Sequence, residues 1–228
     1  MAASVWLLNY DIAAADRDHY LSWFHDEHIP EKLARPGYTW ASHYQVLPDG
    51  DETVSGGRDM GYIAMFGGVS TNVFYNPSPA QLAPAQPMET RDMMACRSNS
   101  QALILTAEWA ADGQGVIGET RSDIDADMIS VALCDVAGND MDFGAWLVQD
   151  HLKSVAEEGN CSSVRKLLAS SGVVKHAIFH EHSSAVGSMT FAEAESSEWS
   201  ARVGEYVTYP LDTPRTAKRL WPDSGSSA

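Results

Sequence analysis

Two stretches of the chain carry a tryptophan, then an acidic residue four positions on, then at once a histidine. These are Trp23, Glu27 and His28 in one and Trp146, Asp150 and His151 in the other, with a common offset of 123 residues. A histidine moves protons near neutral pH, and a neighbouring carboxylate can fix its tautomer. His28 is therefore the first candidate for acid–base work, with Glu27 or Asp26 as its orienting group. His25 lies three residues before it on the same helix face, and the pair could bind a metal only with a third ligand such as His43. No metal is expected. His43 and Tyr44 are adjacent in a β-like run and point to opposite faces, and the expectation puts His43 toward a cavity. Tyr10 is a candidate phenolic acid, or a donor to a carbonyl. In VVKHAIFHEH, His176, Ile178, His180 and His182 share one side of a strand, which reads as a histidine-lined cavity wall.

The expected catalytic set is His28, His43, Tyr10 and His176. The expected substrate contacts are Arg58, Arg97, Arg165, Tyr44, His151 and His180. Arginines suit bidentate capture of a carboxylate, and Arg219 is a further candidate. Cys96 beside Arg97 is the better thiolate candidate, because a nearby cation lowers a thiol pKa. Each residue also has a purely structural role open to it: Trp23 as packing between helix and sheet, Glu27 in an ion pair, His28 on a backbone carbonyl, Tyr10 as a half-buried ring, the histidine strand as an exposed edge.

The elements that position these residues repeat as well. Strand-like runs occur at 4–11, 38–47, 60–67 and 100–109, with a helix from about Asp16 to Ala34 and a helical turn near METRDMMAC. That order is β-α-β-β-α-β, the ferredoxin-like plan. Residues 111–126 are rich in Gly and Asp and read as a linker. Strands at 127–136, 162–170, 173–182 and 215–221 and helices at 140–157 and 188–205 repeat the plan. The organisation expected is a first repeat over 1–110, the linker at 111–126, a second repeat over 127–222 and a tail at 223–228. The fold class is α+β: two ferredoxin-like repeats whose bare sheet faces cover each other as one pseudo-dimeric α+β barrel, with a ligand cavity between the sheets.

The segment WFHDEHIPE (Trp23–Glu31) resembles the W-x-x-x-E-H-x-P-E motif of EthD-like proteins, within the dimeric α+β barrel superfamily. The resemblance spans residues 4–109 and persists over 127–221 only as a degraded copy lacking the proline. It implies a small-molecule site in the barrel cavity, in a superfamily of muconolactone isomerases, cyclases, quinol-forming monooxygenases and haem-degrading enzymes, many of which need no cofactor.

The chain has 228 residues and a formal net charge of −16, which disfavours nucleic acid and anionic membrane surfaces. Its three dispersed cysteines fit neither a disulfide framework nor structural zinc, and with no leader-like N-terminus they point to the cytoplasm. No nucleophile elbow, Walker loop or dinucleotide fingerprint is present. The expectation is a cofactor-independent enzyme of aromatic ring-cleavage catabolism: an isomerase of an unsaturated oxo-acid or lactone, with a small organic acid as substrate and a homodimer possible. The alternatives are a cofactor-independent or haem-linked monooxygenase of the same superfamily, and a ligand-binding pseudo-dimer without chemistry.

Overall fold

The computed structural model describes residues 4–48, 60–118, 123–182, 197–211 and 213–222. In the first half, β1 (Ser4–Ile12) leads to α1 (Arg17–Trp23), a π-helical turn (Phe24–His28) and α2 (Ile29–Leu33). β2 (Tyr38–Val46) and β3 (Met60–Gly68) follow. A short α3 (Pro79–Leu82), then α4 (Met88–Ala95), leads into β4 (Arg97–Asp112). After a short β5 (Ile117–Gly118), the second half repeats the order. It contains β6 (Met128–Val136), α5 (Asp140–Trp146), a second π turn (Leu147–His151), α6 (Leu152–Glu158), β7 (Cys161–Ser171) and β8 (His176–His182). α7 (Glu198–Gly204), β9 (Val207–Thr208) and β10 (Arg215–Trp221) complete it.

Eight antiparallel strands close on themselves in the order β1-β3-β2-β10-β6-β8-β7-β4, and β4 pairs back onto β1. Each half supplies four neighbouring strands. The seams are β2 against β10 and β4 against β7. Closure removes the edges that a four-stranded sheet would expose.

The π turns fall at matching places in the two halves. Pro30, just after the first, removes a helix donor. Its counterpart by the 123-residue offset is Lys153, however, so proline is not what widens the helix. In both halves the wider turn buries a Trp and a His against the sheet: Trp23 with His28, ring centroids 4.6 Å apart, and Trp146 with His151, 5.0 Å apart.

The space between the two sheets is a packed core. Val5, Leu7, Ile63, Met65, Leu103 and Leu105 from one half meet Ile129, Val131, Leu133, Leu167 and Phe179 from the other. Gly67 gives Trp40 its place there, because a Cβ at Gly67 would stand 1.9 Å from the indole nitrogen of Trp40. The expected inter-sheet cavity is therefore corrected for the middle of the barrel, which aliphatic and aromatic side chains fill. Two further apolar layers lie outside the barrel, one under the helices of each half.

Candidate functional site

The placement of the predicted residues follows from which strand face points inward. On β2, Tyr44 joins the barrel core with Trp40 and Val46 packed beside it, so His43 faces outward beneath α1. On β8, Ala177 and Phe179 face in and Ile178 faces out, which carries His176, His180 and His182 to the outer layer. The expected histidine-lined barrel wall is thus corrected for His43, His176 and His180. Nor is their strand an exposed edge, since every residue of β8 is buried.

These histidines are used for pairing. The Tyr10 hydroxyl lies 2.9 Å from His43 Nε2, and His43 Nδ1 lies 2.8 Å from His25 Nε2. His151 Nε2 lies 2.9 Å from His180 Nε2, and His176 Nε2 lies 2.9 Å from Asp140 Oδ1. Burial holds His43 and His180 well below the ordinary histidine pKa and His151 at about 4. The conceivable His25–His28–His43 metal set is not assembled, because His25 and His43 bond to each other and His28 lines a cavity elsewhere. Among the described residues no group of three or more His, Cys, Asp or Glu is placed to hold a metal.

Inside the barrel, Arg165 pairs with the fully buried Glu181, and the Tyr44 hydroxyl donates to the Ala126 carbonyl at 2.9 Å. Tyr44 is committed to the core, whereas Arg165, held by Glu181, also lines a cavity. Arg58 lies outside the described residues. Burial and the nearby Asp16 and Asp92 raise the Cys96 thiol, so Cys96 is no preformed thiolate. Arg219 is held by Asp127 at 2.5 Å.

Among the described residues, three cavities are lined by predicted site residues: one of about 330 Å³ by Arg165 with Asp112 and Ser163, one of about 260 Å³ by Tyr10 with Asn99 and Arg215, and one of about 250 Å³ on the outer face of the first half by His28 and Arg97. The third brings the most basic side chains onto an apolar space. Its floor is Trp6 and Leu8 of β1, its wall is the helix carrying His28, and its roof is the proline-rich segment with Pro77, Pro79 and Leu82. Ser78 caps α3 in that roof, accepting from the Gln81 amide while the Gln81 side chain accepts from the Ser78 amide. Four basic side chains reach this apolar space: His28, Lys32, Arg35 and Arg97.

Two of them have buried nitrogens with no hydrogen-bond partner in the protein, His28 Nδ1 and Arg97 Nη2. A buried donor left unpaired costs about 1–3 kcal/mol, and the described residues hold other unpaired buried polar atoms away from this cavity, Asn160 Oδ1 and His182 Nδ1 among them. The other side of the Arg97 guanidinium is fixed: Nε donates to the Tyr20 hydroxyl at 2.6 Å, and Cζ sits 4.5 Å above the Tyr10 ring. Burial, followed by the charges of Lys32, Arg97 and Arg35, pushes the His28 pKa down to about 2. His28 is therefore a neutral imidazole inside a positive field. In a chain of net charge −16, this arrangement favours a small anion with an apolar body.

His28 and Arg97 are both among the residues expected from the sequence, and both line this cavity. Lys32 and Arg35 were missed. Lys32 is four residues after His28, one helical turn away on the same face, and that spacing was the available signal.

No family profile matches the chain, and no curated protein sequence matches it. Solved structures do match. A protein provisionally named a monooxygenase, from Fusobacterium nucleatum subsp. nucleatum, aligns with a TM-score of 0.55 at 10% identity, covering 96% of this chain and 91% of its own. An anthrone oxidase-like protein aligns at 0.55 and 11%, covering 96% and 91%. A protein provisionally named a chlorite dismutase aligns at 0.56 and 14%, covering 96% of each chain. The fold is that of the dimeric α+β barrels. At these identities the likeness fixes the architecture and leaves the reaction to be argued from the site. No comparison tests the EthD-like resemblance, which rests on the motif at Trp23–Glu31 and the segment around it.

Proposed function

We propose that the chain is an oxygenase of small anionic aromatic compounds, acting in the outer cavity of the first half. The observation that carries this reading is an apolar cavity lined by four basic side chains, His28, Lys32, Arg35 and Arg97. The names of two structural neighbours, a monooxygenase and an anthrone oxidase-like protein, favour oxygen chemistry over the isomerase expected from the sequence. The segment Trp23–Glu31 supplies His28 to the cavity, which supports an EthD-like affiliation.

The chemistry follows from the charges. Arg97 and Arg35 hold the anionic or carbonyl oxygen of the ligand, while Trp6, Leu8 and Tyr38 flank its ring. His28, neutral, takes a proton from a C–H or O–H next to the carbonyl. The ligand's negative charge offsets the positive field that depresses His28, so proton transfer and charge development support each other. An electron-rich carbanion or phenolate can reduce O₂ itself. For a methylene flanked by carbonyl and ring the balance is R₂CH₂ + O₂ → R₂C=O + H₂O. In this cavity a haem-linked version fits poorly, since about 250 Å³ lies below the ordinary ligand pocket of roughly 300–1,000 Å³.

The test is O₂ uptake with a panel of anthrones, hydroquinones and phenolic acids. One O₂ is expected per substrate consumed. His28→Gln is expected to lower the rate about 10²-fold or more at unchanged melting temperature. Binding of panel members without any O₂ uptake would make the chain a ligand-binding module instead.

A further inference from the structure

The cavity holds one nitrogen that the oxygen chemistry does not use. Lys32 is only 3% exposed and lies on α2 one turn beyond His28. Its nearest carboxylate, Glu31, is 3.6 Å away, too long for a strong hydrogen bond. That carboxylate is half exposed and already accepts from Arg35 at 2.6 Å. The cavity also brings Arg35 and Arg97 near Lys32. An ammonium group here is desolvated among like charges, with one loosely placed counter-ion. Burial and Arg35 accordingly hold the Lys32 pKa below the ordinary lysine value. A desolvated lysine next to other cations is a common way of making a nucleophilic amine.

We propose that Lys32 forms an imine with an aldehyde or 2-oxo acid whose carboxylate is held by Arg97 and Arg35. The amine lone pair attacks the carbonyl carbon, a C–N bond forms, and the π pair moves to oxygen. The nitrogen gives up two protons to that oxygen, and His28, which lines the same cavity, is the group that would carry one of them. The C–O bond then breaks, water leaves and C=N remains. No oxidant or reductant is consumed. The inference rests on the cavity being the ligand site and is independent of the O₂ step.

The experiment treats the full chain with glyoxylate and sodium cyanoborohydride, then reads intact mass and peptide maps. One reduced adduct per chain is expected, on Lys32, ahead of the exposed Lys153, Lys175 and Lys218. Excess benzoate, which has the carboxylate without the reactive carbonyl, is expected to block it. Arg97→Gln should raise the glyoxylate concentration for half-labelling about ten- to hundred-fold, the loss of one charged hydrogen bond, while Lys32→Arg should abolish labelling with its circular dichroism spectrum unchanged. Adducts spread over the surface lysines, or Lys32 labelling indifferent to Arg97→Gln, would overturn the proposal. If Lys32 stays unlabelled while calorimetry shows benzoate binding, the imine falls and the cavity reading survives. If benzoate does not bind either, both fall.

Discussion

His43 makes two hydrogen bonds in an apolar layer of aromatic and aliphatic side chains. It is fully buried, and so is its partner Tyr10. Burial keeps His43 neutral and raises the Tyr10 phenol well above its ordinary value, so each carries a single proton to place. If Tyr10 donates to His43 Nε2, then Nδ1–H must donate to His25 Nε2. One tautomer satisfies the whole chain of contacts. The contacts run outward to the half-buried His25, while Arg97 links Tyr20 to the cavity. His43→Ala leaves a hole and an unpaired phenol, and we expect it to cost about 2–4 kcal/mol in urea unfolding. Adding Tyr10→Phe should cost less in that background than in the wild type, because the unpaired hydroxyl goes with it. Strict additivity of the two changes would show that the Tyr10–His43 contact contributes little.

The short roof over the cavity is an element with little intrinsic stability. α3 is a single turn, held at its start by the reciprocal Ser78–Gln81 contacts and at its base by Pro79. Ser78→Ala should loosen it by about 0.5–2 kcal/mol locally. Benzoate affinity should then drop several-fold while the global melting temperature scarcely moves, since the barrel does not depend on the roof. An unchanged affinity would place the ligand elsewhere. Barrel packing predicts the opposite pattern for Gly67→Ala. A Cβ there collides with Trp40 deep in the core, so overpacking should lower stability by about 1–3 kcal/mol without specific loss of binding. Element order was readable from the sequence because strand runs, helix stops and the Trp–acid–His repeat are local signals. β10, for example, spans Arg215–Trp221 against an expected 215–221. Face assignment was not. β6 and β8 are buried on both sides, so neither shows the polar–apolar alternation that would tell inside from outside. For β2, the large residues Trp40, Tyr44 and Val46 outweighed the reading of His43 as cavity-facing, since the barrel core needs their volume.

At the scale of the whole molecule, buried histidines make folding sensitive to mild acid. His28 and His43 lie under the first-half helices and His151 and His180 under those of the second. Desolvation is the first cause of depression for all four, and the folded pKa values that can be stated are about 2 for His28 and about 4 for His151. The unfolded chain protonates these groups near pH 6.5. Above that pH both states are neutral there and the histidines leave stability unchanged. Below it the unfolded state binds more protons than the folded state, so stability falls as pH falls. The loss runs from about 6.5 down through the folded pKa values, at up to about 1.4 kcal/mol per pH unit for each histidine. The depressed carboxylates Asp140 and Asp150 add to the loss only at lower pH, as the unfolded state begins to protonate near their ordinary value. Urea midpoints should therefore be level between pH 8 and 7 and fall steeply between pH 6 and 5. His151→Gln, which keeps a donor and an acceptor but cannot titrate, should flatten part of that slope. A midpoint constant from pH 7 to 5 would mean that these imidazoles are solvated in the folded protein, and the outer layers would not be dry packing.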